Sequence, residues 1–469
     1  MTSPYWLLRV TFAICCVAQF LAATARADDW PQWLGPKRDG VWREDGVLDK
    51  FPSGGAKILW RTPIGSGYAG PAVAGGRVYL TDRVLKSGSR NPTDGFAGGK
   101  LAGSERVLCL DEATGQIVWH HDYDCEYRIA YPAGPRATPI VAGGKVYTLG
   151  AMGNLLCLDA GTGKPIWERN FVTEYNAKPQ NWGFSAHPLL DGDRLICIVG
   201  GDGTVAVAFH KDTGKELWRS LSAAEAGYCP PVIYQVGSTR QLIIWHAEAV
   251  CGLDPETGKK YWQVEFPVRA ALTIPMPRYD AGTLLITSFY NGAMMLKLAA
   301  DMPTADVVWR AKRVSEKPDQ TEFLNSIMPT PIRKDGYIYG VCSYGQLRCL
   351  KADTGERVWD TMEATRGKKD GRMEPTSPKP IESPAAKAER WSNAFLVPNG
   401  DRYFLFNEKG DLIIAKLSPS GYQEIDRTHV IEPDNVMAGR PVVWSHPAFA
   451  NRKMFVRNDH EIVCVSLAK

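Results

Sequence analysis

The sequence is poor in the groups that build catalytic and metal centres. Its 469 residues hold only eight histidines. No Cys-x-x-Cys pair, Cys-x-x-Cys-His haem attachment or His-Glu-x-x-His run occurs, which removes the common zinc, thiol-redox and haem signatures. Neither Gly-x-Ser-x-Gly nor a phosphate-binding Gly-x-x-x-x-Gly-Lys is present, so serine-hydrolase and nucleotide chemistry have no motif to stand on. A formal charge of +4 is too small for a dedicated nucleic-acid binder. No run reaches the roughly 18 uninterrupted apolar residues of a membrane span.

The longest apolar run, Val10 to Ala23, follows Arg9 and precedes Ala25-Arg26-Ala27. Charge, short apolar core and small residues in that order are a secretory signal, expected over residues 1–27, with export to the periplasm and a mature chain from about Asp28. Thr-Phe-Ala-Ile before Cys15-Cys16 is no lipoprotein box, so a lipid anchor is not expected.

Against these absences stands a repeat. From Gly153 to Trp167 the chain runs Gly-Asn-Leu-Leu-Cys-Leu-Asp-Ala-Gly-Thr-Gly-Lys-Pro-Ile-Trp. Leu156 to Leu158 suit a short buried strand, Asp159 to Gly163 a tight reversal, and Pro165 to Trp167 the returning strand. The Asp and Thr can bond backbone N–H groups, and the Gly can take a positive φ. Copies close on Trp119, Trp218, Trp262 and Trp359, and on Trp309 in a copy without Thr-Gly, at steps of 44 to 51 residues. One hairpin cannot bury its own faces, so the copies must stack. That period suits a four-stranded antiparallel blade.

Ile58-Leu59-Trp60-Arg61 reads as a final strand with nothing before it, and Glu461 to Val465 as a strand with no Trp strand after it. The sequence therefore predicts an all-β, eight-bladed β-propeller with the N-terminal strand completing the last blade, seven blades being the alternative count. A single domain is expected over 28–469, interrupted by insertions at about 86–103 and 364–390. Cys109, Cys157 and Cys349 share one repeat position, with Cys464 matching, as small buried hydrophobes do. Cys125 and Cys229, in connecting segments, are left as a candidate disulfide.

The Asp-x-x-Thr-Gly-x-x-x-Trp pattern, with Cys109, Cys157, Ala208, Gly252 or Cys349 two places before the Asp position, resembles the tryptophan-docking motif of PQQ-like propeller repeats, in the BamB-like branch. The resemblance implies that Trp60, Trp119, Trp167, Trp218, Trp262, Trp309 and Trp359 dock between blades, with the small residue making room for a neighbouring blade's Trp. That family holds both quinoprotein dehydrogenases and the outer-membrane assembly scaffold BamB, so fold leaves function open. The dehydrogenases carry adjacent cysteines over the quinone and a Glu, Asn and Asp set around calcium. Here the only adjacent pair is Cys15-Cys16, in the signal, and no paired carboxylates stand at the inner-strand entries. The expectation is a non-catalytic binding or scaffold protein of the envelope, a monomer without cofactor or metal. The alternative is a dehydrogenase of alcohols or sugars using PQQ with Ca2+.

Residues just before each inner strand gather at one mouth of a propeller's channel. Here they are aromatic and polar: Tyr68, Tyr131, Arg136, Trp182, His187, Tyr228, Asn325, Trp391, Asn393, Trp444 and His446. One reading is a shallow site for a flat ligand, peptide or protein partner, its rings stacking and its Arg and His side chains orienting. The other is that the rings only cap the channel. His187 and His446 both precede proline, but no third ligand at matching spacing is present, so no metal is expected.

Overall fold

The computed structural model describes residues 28–97, 99–312, 315–317, 320–342, 344–367, 389–437 and 439–469. The expected signal and most of the 364–390 insertion lie outside these residues.

Eight four-stranded antiparallel sheets follow one another around a ring. Their innermost strands are Ala72–Ala74, Ile140–Ala142, Leu189–Asp191, Val232–Val236, Arg278–Asp280, Ile332–Lys334, Ala394–Asn399 and Ala448–Ala450. In the last sheet the outermost place is taken by Ile58–Pro63, paired to Glu461–Ser466 with Trp60 opposite Cys464 and Thr62 opposite Ile462. The blade count is eight, and the two ends of the chain meet in one sheet. A two-stranded ribbon, Asn435–Met437 with Arg440–Val442, lies between blades seven and eight.

Each reversal is built as its residues require. The Asp159 carboxylate accepts from the backbone N–H of Gly161 and Thr162 and from the Thr162 hydroxyl, while Gly163 turns at φ +72°. Asp111 and Thr114 repeat the arrangement in blade one. The turn presents a carbonyl and a bare glycine to the previous blade. Trp60 donates to Glu112 O, Trp119 to Ala160 O, Trp167 to Lys211 O, Trp218 to Pro255 O, Trp309 to Ala352 O and Trp359 to Ser418 O, at 2.8–3.2 Å. Because Trp60 reaches blade one from blade eight, this contact also closes the ring.

Two details differ from the sequence reading. The small residues Cys109, Cys157, Ala208, Gly252 and Cys349 stand opposite their own blade's Trp. The neighbour's Trp lies on the turn glycine instead: Gly115, Gly214 and Gly258 carry Trp60, Trp167 and Trp218. Trp262 departs from the set. Its N–H donates to Gln241 Oε1 at 2.7 Å, and its ring covers Gly252, both in its own blade. The nine cysteines from Cys109 onward are free and buried. Cys125 packs beside Tyr127 and Ala151, and Cys229 in a separate cluster with Trp33, so this pair is not bridged.

The segment before the first strand was not assigned from the sequence. It threads the centre of the ring: Trp30 bridges Val73, Pro31 O accepts from Val141 N–H, and Trp42 N–H donates to Pro398 O. Arg38, 6% exposed, donates to the carbonyls of Pro188 and Pro231, where blades three and four begin. Burial without a facing carboxylate lowers its pKa to about 10. The channel is thus corked, and the mouth that remains is floored by Trp33.

Candidate aromatic site at the channel mouth

Above that cork lies a cavity of about 410 Å3. Its lining includes Tyr68, Tyr131, Arg136, Trp182, His187, Tyr228, Trp391, Trp444 and His446. Blade entries from around the ring therefore converge on one space. Asn325 and Asn393 are not brought to it. Both are fully buried: the Asn325 amide donates to Phe289 O and Ser315 O, and that of Asn393 to Trp391 O. They brace connecting segments behind the wall.

The floor is an aromatic stack. The His187 ring lies parallel to Trp33, centroids 4.4 Å apart; His446 meets Trp33 edge-on at 6.0 Å and lies tilted against Phe395 at 3.9 Å. His187 Nδ1 accepts from Thr138 N–H at 2.9 Å, which places its proton on Nε2. Burial pushes the pKa of His446 down to about 3; burial, then the Arg38 charge, holds His187 well below the usual imidazole range. Both rings are neutral at physiological pH, so they serve the floor as flat surfaces rather than cations.

The walls are held from behind. Trp444 Nε1 donates to the buried Glu408, which also takes Arg440. Trp182 meets Tyr228 edge-on at 5.7 Å. Arg136 donates to the carbonyls of Gly134, Ala130 and Tyr131 and lies over Tyr68 at 5.1 Å. Burial raises the Tyr68 phenol to about 12, so the rings stay uncharged too. Three lining residues without the freedom of glycine are left-handed: Tyr131 at φ +52°, Ala270 at +57° and Trp391 at +68°. Such backbone costs about 1–2 kcal/mol per residue and gathers where a surface must be held in one shape.

Sequence reasoning missed Trp33, Phe96, Arg269 and Tyr290 in the lining. Phe96 belongs to the insertion of blade one and lies over the mouth, 4.8 Å from Tyr131, 6.2 Å from Trp182 and 6.4 Å from Trp391. The available signal was a lone large ring among loop formers, Asp94-Gly95-Phe96-Ala97-Gly98.

A family model described as outer membrane protein assembly factor BamB matches residues 103–361, more than half of the sequence. The chain belongs to this family. Among solved structures the BamB-like ring is similar to BamB from Moraxella catarrhalis, at 14% identity and a TM-score of 0.54 over 88% of this chain and 99% of that one. It is also similar to the quinohemoprotein alcohol dehydrogenase of Comamonas testosteroni, at 13% identity and 0.58 over 95% and 82%. A third, ADHIIG of Pseudomonas putida HK5, gives 12% and 0.56 over 94% and 80%. At such identities the likeness is one of fold. No curated protein sequence matches the chain.

The fold's dehydrogenase branch implies a quinone held with calcium. The residues of this BamB-like mouth do not fit that pair. A hard cation needs several convergent oxygens, carboxylates among them. The lining has no Asp or Glu, and among the described residues no group of three or more His, Cys, Asp or Glu is placed to hold a metal.

Proposed function

We propose that this BamB-like chain is an exported, non-catalytic binding propeller of the cell envelope, with the corked channel mouth as the place where a partner docks. The observation that carries this reading is the make-up of the mouth: stacked rings, neutral imidazoles and arginines, with no carboxylate in the lining. Such a wall can hold and orient a partner, and it has no carboxylate to serve as a general base. The family description supports an outer-membrane assembly role, and residues 1–27 supply the export signal. No helix among the described residues is long and apolar enough to cross a membrane. The protein acts as a monomer and needs no cofactor.

The rival reading, a PQQ- and Ca2+-dependent oxidoreductase, gives the test. Purified protein mixed with PQQ and Ca2+ is expected to retain no visible chromophore after desalting and to show no calcium-dependent rise in melting temperature. A retained chromophore with a raised melting temperature contradicts the scaffold reading.

A further inference from the structure

Blade one is taller than its neighbours. Its second and third strands, Arg77–Leu85 and Gly103–Asp111, run nine residues each, against five for Lys145–Leu149 in blade two, and stay paired up to Leu85 opposite Gly103. The extra length carries the insertion up to the mouth, where its base and its tip are held in different ways. The base is fixed: Lys86 N–H donates to Ala102 O, Leu101 bridges Tyr127, and the buried Arg83 donates to Leu101 O and Pro132 O. The tip is tied mainly to itself, through Ser89 N–H to Lys86 O and Phe96 N–H to the Asp94 carboxylate. Among the described residues one backbone bond joins it to the wall, Tyr131 N–H to Gly95 O at 2.6 Å. Gly88 and Gly99 flank it at φ +85° and +141° with open space around them, the freedom a hinge requires.

The tip covers the axis of the ring. Phe96 is 48% exposed, yet its ring meets Trp182 at the entry to blade three and Trp391 at the entry to blade seven, as well as Tyr131. Blades three and seven stand opposite each other in a ring of eight, so this one side chain spans the opening.

We propose that the tip of the insertion is a lid with Phe96 as its latch. Closed, as in this structure, it keeps a partner out of the cavity; docking requires it to swing off Tyr131. The inference rests on the reading of the mouth as a docking place, and adds that the place is shut until the latch lifts. A ring belonging to a fixed wall is tied from behind, as Trp444 is by Glu408. Phe96 is held by ring contacts alone at its side chain, and these part without leaving a buried polar group unpaired. The bond from Tyr131 to Gly95 borders an open groove of about 710 Å3, lined by Asn91, Thr93, Gly95 and Tyr131 among others, where water can replace it.

Gly95 offers a way to prop the lid open. It turns at no positive φ, so alanine brings no left-handed strain, but a Cβ there would strike the Tyr131 ring. Phe96→Ala removes the latch itself.

Two measurements test the lid. Native-state hydrogen exchange resolved to single amides compares Tyr127 N–H, which donates to Leu101 O at the base, with Tyr131 N–H, which donates to Gly95 O at the tip. Tyr131 is expected to exchange at least about a hundredfold faster, because local opening releases it without the base. Binding of the apolar dye 1-anilinonaphthalene-8-sulfonate, followed by fluorescence, is expected to tighten about tenfold in Phe96→Ala and in Gly95→Ala, since a closed fraction no longer lowers the apparent affinity. Adding Trp182→Ala should abolish that gain. Equal exchange of the two amides means a fixed cover and overturns the proposal. Wild-type dye affinity in Phe96→Ala overturns it too, as does a gain that survives Trp182→Ala. Should Gly95→Ala lower the melting temperature, Phe96→Ala, at a half-exposed position, decides alone. Neither measurement uses a protein partner or a quinone, so a retained quinone would remove the scaffold reading and leave both lid results standing.

Discussion

Trp167→Ala is expected to lower the unfolding free energy by about 3–5 kcal/mol in chemical denaturation, the cost of truncating a large core ring. Trp167 is 9% exposed, although it lies on the outermost strand of blade two, because blade three covers it. Its face rests on Gly214 and its N–H donates to Lys211 O at 2.8 Å. The substitution therefore removes apolar burial, leaves a cavity and strips a carbonyl of its partner. A loss below about 1 kcal/mol would place the ring on the surface and undo the account of how blades adhere.

The same contact can be broken from its other side. Gly214 turns at φ +65°, and a Cβ there would stand 2.7 Å from the Trp167 ring. Gly214→Ala should cost about 2–4 kcal/mol, combining left-handed strain with an overpacked interface. Gly192, in the same blade at φ +58°, faces open space, so Gly192→Ala should show the strain alone, about 1 kcal/mol. In the Trp167→Ala background Gly214→Ala should fall to that smaller value, since the ring it struck is gone. Equal losses for the two glycines in wild type would mean that the turn glycine serves its own backbone and not the neighbouring blade.

These contacts explain how much of the fold was legible in the sequence. Asp-x-x-Thr-Gly and Trp recur because each copy meets the same neighbour, so period, blade count and the Trp60 latch could all be read from spacing. Pair partners could not. Nothing in the string says whether Trp167 lies on Cys157 or on Gly214, and the small residue was assigned the wrong Trp because both glycine and cysteine are small. Trp262 followed the motif and docked within its own blade, on Gln241 and Gly252. Irregular parts were opaque for the same reason. The cork from Trp30 to Trp42 belongs to no repeat, and its role depends on inner strands far along the chain, from Val73 to Pro398.

At the mouth, position was legible where it followed from the repeat. His187 and His446 precede proline at matching places and meet at one floor. Asn325 and Asn393 occupy similar places, yet point into the connections, because an amide that can satisfy buried carbonyls is drawn inward. Phe96 escaped notice as part of an insertion, where no period constrains the chain.

The central claim is that the ring is one closed body, sealed where an N-terminal strand completes the last blade. Peptide-level hydrogen exchange under native conditions tests it most directly. Amides of Ile58–Pro63 should be protected as strongly as those of Glu461–Ser466, their partners in the sheet, and the two should open together. Rapid exchange of Ile58–Pro63 while Glu461–Ser466 stays protected would contradict the closed ring.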